Sequence, residues 1–255
     1  MMRPIENMSI LITGGGSGLG AGIARYYAER GAKVTICGRR LDKIQAIARE
    51  LGPNCRGEAA DVAKDADRRR IIAAAVEHGG KLDALVNNAG NMLHGPITGL
   101  DEQELINVFH VNVVAGMQLT GLAVPHLEKT QGAVAFIGSV HTRRAYPGAS
   151  AYAATKGAVE ALTKVLAAEL GPKQIRVNCV VPGAVPTEIN IRAGLFTEEA
   201  HAKRMQGLAS SHVLGRIGSE EDVAEAMDYC LRANWCTGHA LVIDGGLSLG
   251  MSNFG

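Results

Sequence analysis

Apolar residues in this chain come in short unbroken runs, each separated from the next by a helix-like stretch and a turn. Met8 to Thr13 (MSILIT) is the first run, and it ends at the glycine cluster Gly14 to Gly20 (GGGSGLG). An apolar run of that length bounded by a turn predicts a buried strand. AGIARYYAER then predicts a helix that stops at Gly31. KVTICG predicts a second strand, Leu41 to Leu51 a helix ended by Gly52-Pro53, CRGEAA a weak third strand, and Ala66 to His78 a helix closed by Gly79-Gly80. LDALVNN predicts a fourth strand. Asp101 to Leu127 predicts one long helix, in which Pro125 implies an early end or a kink. AVAFIGS, IRVNCVVPG and ALVIDGG predict three further strands. Helices are expected at Ser150 to Leu170 and, with Ser219 as N-cap, at Glu220 to Leu231.

Strands and helices therefore alternate. Unbroken apolar strands, rather than alternating ones, are the mark of a parallel sheet covered on both faces. Right-handed crossovers then give an α/β, doubly wound sheet of about seven strands with helices on either side. No linker, internal repeat or charge block divides the chain, so residues 1–255 are expected to form a single domain. In such a sheet ligands bind beyond the carboxyl ends of the strands. The glycine turn, Asp61-Val62, Asn87 to Gly90, Ser139 and Pro182-Gly183 all follow strands, which predicts that they gather along one rim.

Composition narrows the function classes. A net charge of +1 argues against a nucleic-acid partner, which would call for a basic surface. No apolar run approaches the roughly 20 residues needed to span a bilayer, so no membrane partner is expected. The first residues lack the apolar core of a signal peptide. The cysteines, Cys37, Cys55, Cys179, Cys230 and Cys236, are odd in number and scattered. Free thiols in a reducing, cytoplasmic setting are the simplest account. The histidines and cysteines form neither a His-Glu-x-x-His nor a Cys-x-x-Cys pattern, so no metal is expected.

Chemistry concentrates in two places. At Gly14, Gly18 and Gly20 the chain can turn sharply between strand and helix and let a phosphate approach the helix amides. That context predicts a dinucleotide site. About 20 residues further on, an NAD site places an acid on the ribose hydroxyl. Here the chain has Gly38, Arg39 and Arg40. A guanidinium would bind a 2′-phosphate well, so NADP(H) is favoured with Arg39 as its reader, while NAD(H) stays open. Asp61 would either accept from the adenine amino group or cap a turn. Asn112, in the apolar string FHVNVVAG, must find hydrogen bonds if buried.

The second place is Ser139 to Lys156, where Tyr152 is followed one helical turn later by Lys156. A free phenol, with a pKa of about 10, is a poor base at neutral pH. A neighbouring ammonium should lower it and create an acid/base group. The spacing alone also fits an amphipathic helix with a surface lysine. Tyr146 is not a rival, because Ser150 stands four residues beyond it. Ser139 with His141 suggests a hydrolase, but the surrounding Ile-Gly-Ser-Val-His is not a Gly-x-Ser-x-Gly elbow.

Taken together, Thr13 to Gly20, Asp61, Asn87 to Gly90, Asn112, Ser139, Tyr152, Lys156 and Pro182-Gly183 with Thr187 resemble the short-chain dehydrogenase/reductase family over essentially the whole chain. The resemblance implies a Rossmann-type fold and a catalytic tetrad of Asn112, Ser139, Tyr152 and Lys156. In that reading Ser139 orients the substrate oxygen and Tyr152 transfers the proton. Lys156 lowers the tyrosine pKa and binds the nicotinamide ribose, and Asn112 holds a water linking Lys156 to solvent. Cofactor contacts are implied for Gly14, Ser17, Gly18, Leu19, Gly20, Arg39, Asp61, Val62, Asn88, Ala89, Gly90, Tyr152, Lys156, Pro182, Gly183, Val185 and Thr187. The segment PGAVPTEI departs from many relatives in its residues but keeps the threonine spacing.

The implied reaction is hydride transfer between the cofactor and a small-molecule ketone or secondary alcohol. Enoyl reductases of the superfamily show a wider spacing than Tyr152–Lys156, so the resemblance implies carbonyl/alcohol chemistry over double-bond reduction. Substrate choice is expected from Asn91 to Pro96, His141 to Tyr146 and Ile189 to Leu214, with residues 184–214 as a lid. Arg143 and Arg144 either sit in a solvated loop or attract an acidic partner such as an acyl carrier. A homotetramer is implied through the long helices and the last strand. The alternative is a catalytically silent dinucleotide-binding sensor or scaffold on the same fold. Such proteins typically lose the Tyr or Lys that this chain retains.

Overall fold

Each predicted apolar run forms a strand in the computed structural model, which describes residues 2–250. The strands are β1 (Ser9–Thr13), β2 (Lys33–Gly38), β3 (Cys55–Ala59), β4 (Ala84–Asn87), β5 (Ala133–Ile137), β6 (Arg176–Pro182) and β7 (Ala240–Ile243). Every neighbouring pair is parallel, in the order β3-β2-β1-β4-β5-β6-β7. The helices between them are α1 (Gly18–Ala28), α2 (Leu41–Leu51), α3 (Asp65–Gly79), α4 (Glu102–Phe109), α5 (Ala115–Thr130), α6 (Ser150–Leu170), α7 (Ile189–Arg192), α8 (Glu198–Leu208) and α9 (Glu220–Arg232).

Strand side chains point alternately to the two faces, and residue parity decides which helical layer each one meets. Ile10 and Ile12 pack in the core shared with α1, α2 and α9, whereas Leu11 between them packs in the core shared with α3, α5 and α6. Val86 and Leu85 divide in the same way, as do Ala135 and Phe136, and Val180 and Val181. Both faces are buried, so both parities are apolar and the strands read as unbroken runs. The chain moves outward from β1 through β2 to β3, then jumps back to β4 on the other side of β1. That reversal opens a cleft beyond the carboxyl ends of β1 and β4.

The long helix differs from expectation. α5 runs through Pro125 to Thr130. Pro125 and Gly121, whose carbonyl the proline leaves free, both lie on the exposed side, where water can satisfy that oxygen. The regular winding fails earlier, in a π turn over His110–Val114 that carries Asn112. The combined helical run Glu102–Thr130 is also long and apolar enough to span a bilayer by length and composition, contrary to the expectation that no such run exists. Leu119, Ala123 and Leu127 of this run are buried against the sheet.

Candidate active site

The glycine turn is shaped by contacts with β4. Gly14 and Gly18 have φ of +68° and +53°, backbone that glycine adopts without strain. Asn88 Nδ2 donates to the Thr13 and Gly14 carbonyls at 2.7 and 3.3 Å. Thr13 Oγ1 accepts from the Asn88 and Ala89 amides at 3.0 and 2.9 Å. A Cβ on Gly20 would run into the Gly14 carbonyl and Asn88 Nδ2. Gly20 thus lets α1 close down on the turn and does not face the cleft.

A dinucleotide fits this turn. The first-turn amides of a helix have no intrahelical acceptors, and α1 carries no acidic residue there to repel an anion. Cβ atoms at Gly14 or Gly18 would crowd Ala89 or Thr187 and fill the cradle. Arg40 reaches Ser17 Oγ at 2.8 Å and Glu188 at 2.7 Å, tying the turn to the segment after β6. Arg39 is exposed, lies on the cleft and makes no ion pair among the described residues. Asp61 Oδ1 accepts from the Ala63 amide at 3.0 Å, so it caps its turn while also lining the cleft.

The cleft is a cavity of about 720 Å³ along the rim. Gly14, Ser17, Gly18, Leu19, Arg39, Asp61, Val62, Asn88, Ala89 and Gly90 form one stretch of its wall. Ser139, Tyr152, Lys156, Pro182, Gly183, Val185 and Thr187 form another. Of the predicted residues, Gly20 and Asn112 stand behind the wall. Asn112 Nδ2 donates to the Asn91 carbonyl at 2.9 Å and to Thr155 Oγ1 at 3.1 Å, and Oδ1 accepts from the Asn91 amide at 2.8 Å. These bonds join the strand β4 exit to α6 at the π turn.

Ser139 ends the β5 segment, and Tyr152 and Lys156 lie one turn apart at the start of α6; all three are buried. Lys156 Nζ donates to the Ile137 carbonyl at 2.8 Å and lies 5.5 Å from the Tyr152 ring centroid. The expected lowering of the phenol by this ammonium is not what the geometry gives. Burial pushes Tyr152 up to about 12, opposed by a hydrogen bond from Ser139. Burial also brings Lys156 down to about 8. Both groups are removed from water, and desolvation disfavours the charged form of each. Burial therefore favours the neutral phenol at Tyr152 and works against the ammonium at Lys156.

His141 joins this group. Its Nδ1 is 2.9 Å from Ser139 Oγ. The ring meets Tyr152 edge-on, centroids 5.1 Å apart, and lies 4.4 Å from Tyr146. Burial first, then the charges of Lys156, Arg204 and His94, bring its pKa down to about 4. The adjacent arginines are not free. Arg143 pairs with Glu160, which already supplies the acidic partner expected for it from outside, and Arg144 donates to the Leu247 carbonyl at 3.2 Å. Along α7, α8 and the segment between them, Ile189, Leu195, Phe196, Met205 and Leu208 line the wall, with Arg204 over the Phe196 ring. The Arg40–Glu188 pair, Arg192 and Arg204 were not singled out from the sequence. Arg40 and Glu188 lie 148 residues apart in the chain, and Arg192 and Arg204 lie in the segment after β6.

The profile of the family described as short chain dehydrogenase matches residues 8–196. The chain is 36% identical over 249 residues to an L-fucose dehydrogenase of Bos taurus, covering 94% of this chain and 89% of that protein. It is 32% identical over 238 residues to a 3-oxoacyl-[acyl-carrier-protein] reductase of Mus musculus, covering 93% and 97%. Among solved structures it is similar to a 3-ketoacyl-(acyl-carrier-protein) reductase of Brucella melitensis complexed with NADH. The identity there is 34% and the TM-score 0.87, over 96% of this chain and 99% of that one.

Proposed function

This chain belongs to the short-chain dehydrogenase/reductase family, and on that premise we propose a specific reaction for it. It transfers a hydride between a nicotinamide cofactor, NADP(H) ahead of NAD(H), and a small-molecule ketone or secondary alcohol. Tyr152 acts as general acid/base. The supporting observation is the convergence of Ser139, Tyr152 and Lys156 on one wall of the cleft that begins at the glycine turn.

When bound, the cofactor supplies or accepts the hydride at the nicotinamide; the protein provides the rest. The amides at the α1 N-terminus would hold the pyrophosphate, and Asp61 and Val62, further along the same wall, would meet the adenine end. Ser139 orients the substrate oxygen. In the reducing direction Tyr152, protonated at neutral pH, donates its proton to the oxygen that gains negative charge. The neighbouring Lys156 ammonium is the charge that favours the phenolate left behind, working against the burial that disfavours it. Asn112 acts at one remove, holding Thr155 and the Asn91 segment in register with α6. Residues 184–214 serve as the lid that excludes water from the substrate end.

Tyr152→Phe is expected to lower kcat by roughly 1,000-fold or more while cofactor still binds. NADPH consumption across a ketone panel, followed by absorbance, measures the rate. Near-wild-type turnover in this variant would remove Tyr152 from its role.

A further inference from the structure

We propose that His141 is a positioning residue for this reaction: its Nδ1–H donates to Ser139 Oγ and so turns the Ser139 hydroxyl proton toward the reacting oxygen. The proposal rests on the function assigned above. Its basis is the 2.9 Å separation of Nδ1 and Oγ, with the His141 main-chain amide also directed at the same oxygen at 3.4 Å. Both donors come from the single turn that follows β5.

A serine hydroxyl has one proton and two acceptor positions. If Ser139 gave its proton to Nδ1, it would have none to offer a substrate oxygen that becomes negative as the hydride arrives. With the proton on Nδ1, the ring fills an acceptor position on Oγ instead. The hydroxyl proton is then not committed to the ring: it can turn from the neighbouring Tyr152 oxygen to the substrate oxygen as that oxygen becomes negative, and a bond donated into Oγ polarises O–H further. The ring is fixed for this task between Tyr146 on one side and the edge of Tyr152 on the other. Tyr146 thereby gains a use that its sequence position did not suggest.

The ring is held in its neutral form, in which the Nδ1 proton is its single N–H proton and is committed to Oγ. The charged groups acting on it are Lys156, Arg204 and His94, all cationic or able to become so. Around it stand the neutral hydroxyls of Ser139, Tyr146 and Tyr152. Burial and these charges keep it singly protonated down to a pH of about 4.

Side-chain geometry gives a discriminating test. An asparagine amide nitrogen is bonded to Cγ, as Nδ1 is, and can replace that donor. A glutamine amide sits one bond further out and cannot. His141→Ala is expected to lower kcat roughly 10- to 100-fold, less than loss of an oxyanion donor itself. Cofactor affinity should stay at its wild-type value, while Tm falls by the packing the ring loses against Tyr146 and Tyr152. His141→Asn is expected to recover roughly tenfold over His141→Ala, and His141→Gln to recover nothing. Wild-type kcat in His141→Ala would overturn the proposal, as would Asn and Gln variants equal to Ala, or a loss confined to KM. Tyr152→Phe, assayed alongside, separates the two levels. If it retains turnover, the assignment of Tyr152 as general acid/base falls; if it is inactive while His141→Ala is normal, only the positioning role falls.

Discussion

Burial brings the Lys156 ammonium down from its usual 10.5 to about 8, which opens a pH window visible in stability. Below pH 8 the folded and unfolded chains both hold this proton, and the folded protein bears the desolvation cost. Between about 8 and 10.5 the unfolded chain binds more protons than the folded one, so stability rises with pH. Lys156→Met keeps the apolar stem and removes the charge. It is expected to be more stable than wild type below pH 8, by on the order of 1–3 kcal/mol, with the advantage shrinking as pH rises toward 10. Urea unfolding at pH 7 and pH 9.5 measures this. A variant less stable at pH 7 would mean that the bond to the Ile137 carbonyl outweighs burial. Arg39 invites a second test at the same scale. It is exposed on the cleft with no carboxylate partner among the described residues, whereas Arg40 is already engaged by Glu188 and Ser17. Wild type is expected to favour NADPH over NADH in kcat/KM by roughly tenfold or more, and Arg39→Asp to reverse the order. Equal use of both cofactors by wild type would exclude Arg39 as the phosphate reader.

At the scale of the element, the glycine turn with the start of α1 is the least tolerant piece. Gly20→Ala places a methyl group against the Gly14 carbonyl and the Asn88 amide, which also holds the Thr13 carbonyl. Neither neighbour can give way without loosening the turn from β4. The substitution is expected to cost roughly 1–3 kcal/mol of stability and to weaken cofactor binding, read by thermal unfolding and by titration of NADPH fluorescence. Unchanged Tm and affinity in this variant would mean that α1 shifts freely. This region was legible in the sequence because its signals are local: a strand end, spaced glycines and a helix start. The capping box of α9, Ser219 with Asp222, was half legible for the same reason. What could not be read depends on distant partners. Asn112 looked misplaced in an apolar helix, but its pull toward Asn91 and Thr155, which accompanies the π turn, exists only once α6 has packed. The Arg40–Glu188 bond spans residues far apart in the chain, and Arg143 looked free until Glu160 was beside it. The Tyr152–Lys156 spacing carried proximity but not burial, and burial decides the pKa of both.

The whole molecule leaves apolar surface that the sheet does not cover. On α4, the π turn and α5, Ile106, Phe109, Val114 and Met117 are exposed at helical spacing, and Val165 is exposed on α6. The α4 and α6 helices pack together, so these residues can form part of one surface. Beyond the other end of the sheet, β7 is an edge strand with exposed Val242, and Trp235 precedes it fully exposed. Patches of this kind on a folded chain mark sites of association, and an isologous contact through each would build a closed tetramer with two kinds of interface. The same outward stripe explains why the run 102–130 is apolar enough to pass a membrane criterion while its other face packs on the sheet. Light scattering on the purified chain is therefore expected to give about four times 26.7 kDa. Met117→Lys with Val165→Lys should split that assembly into dimers held by the β7 side, and a charge at Val242 should split it the other way. Subunits that remain monomeric at micromolar concentration would show that the exposed stripe serves some contact other than self-association.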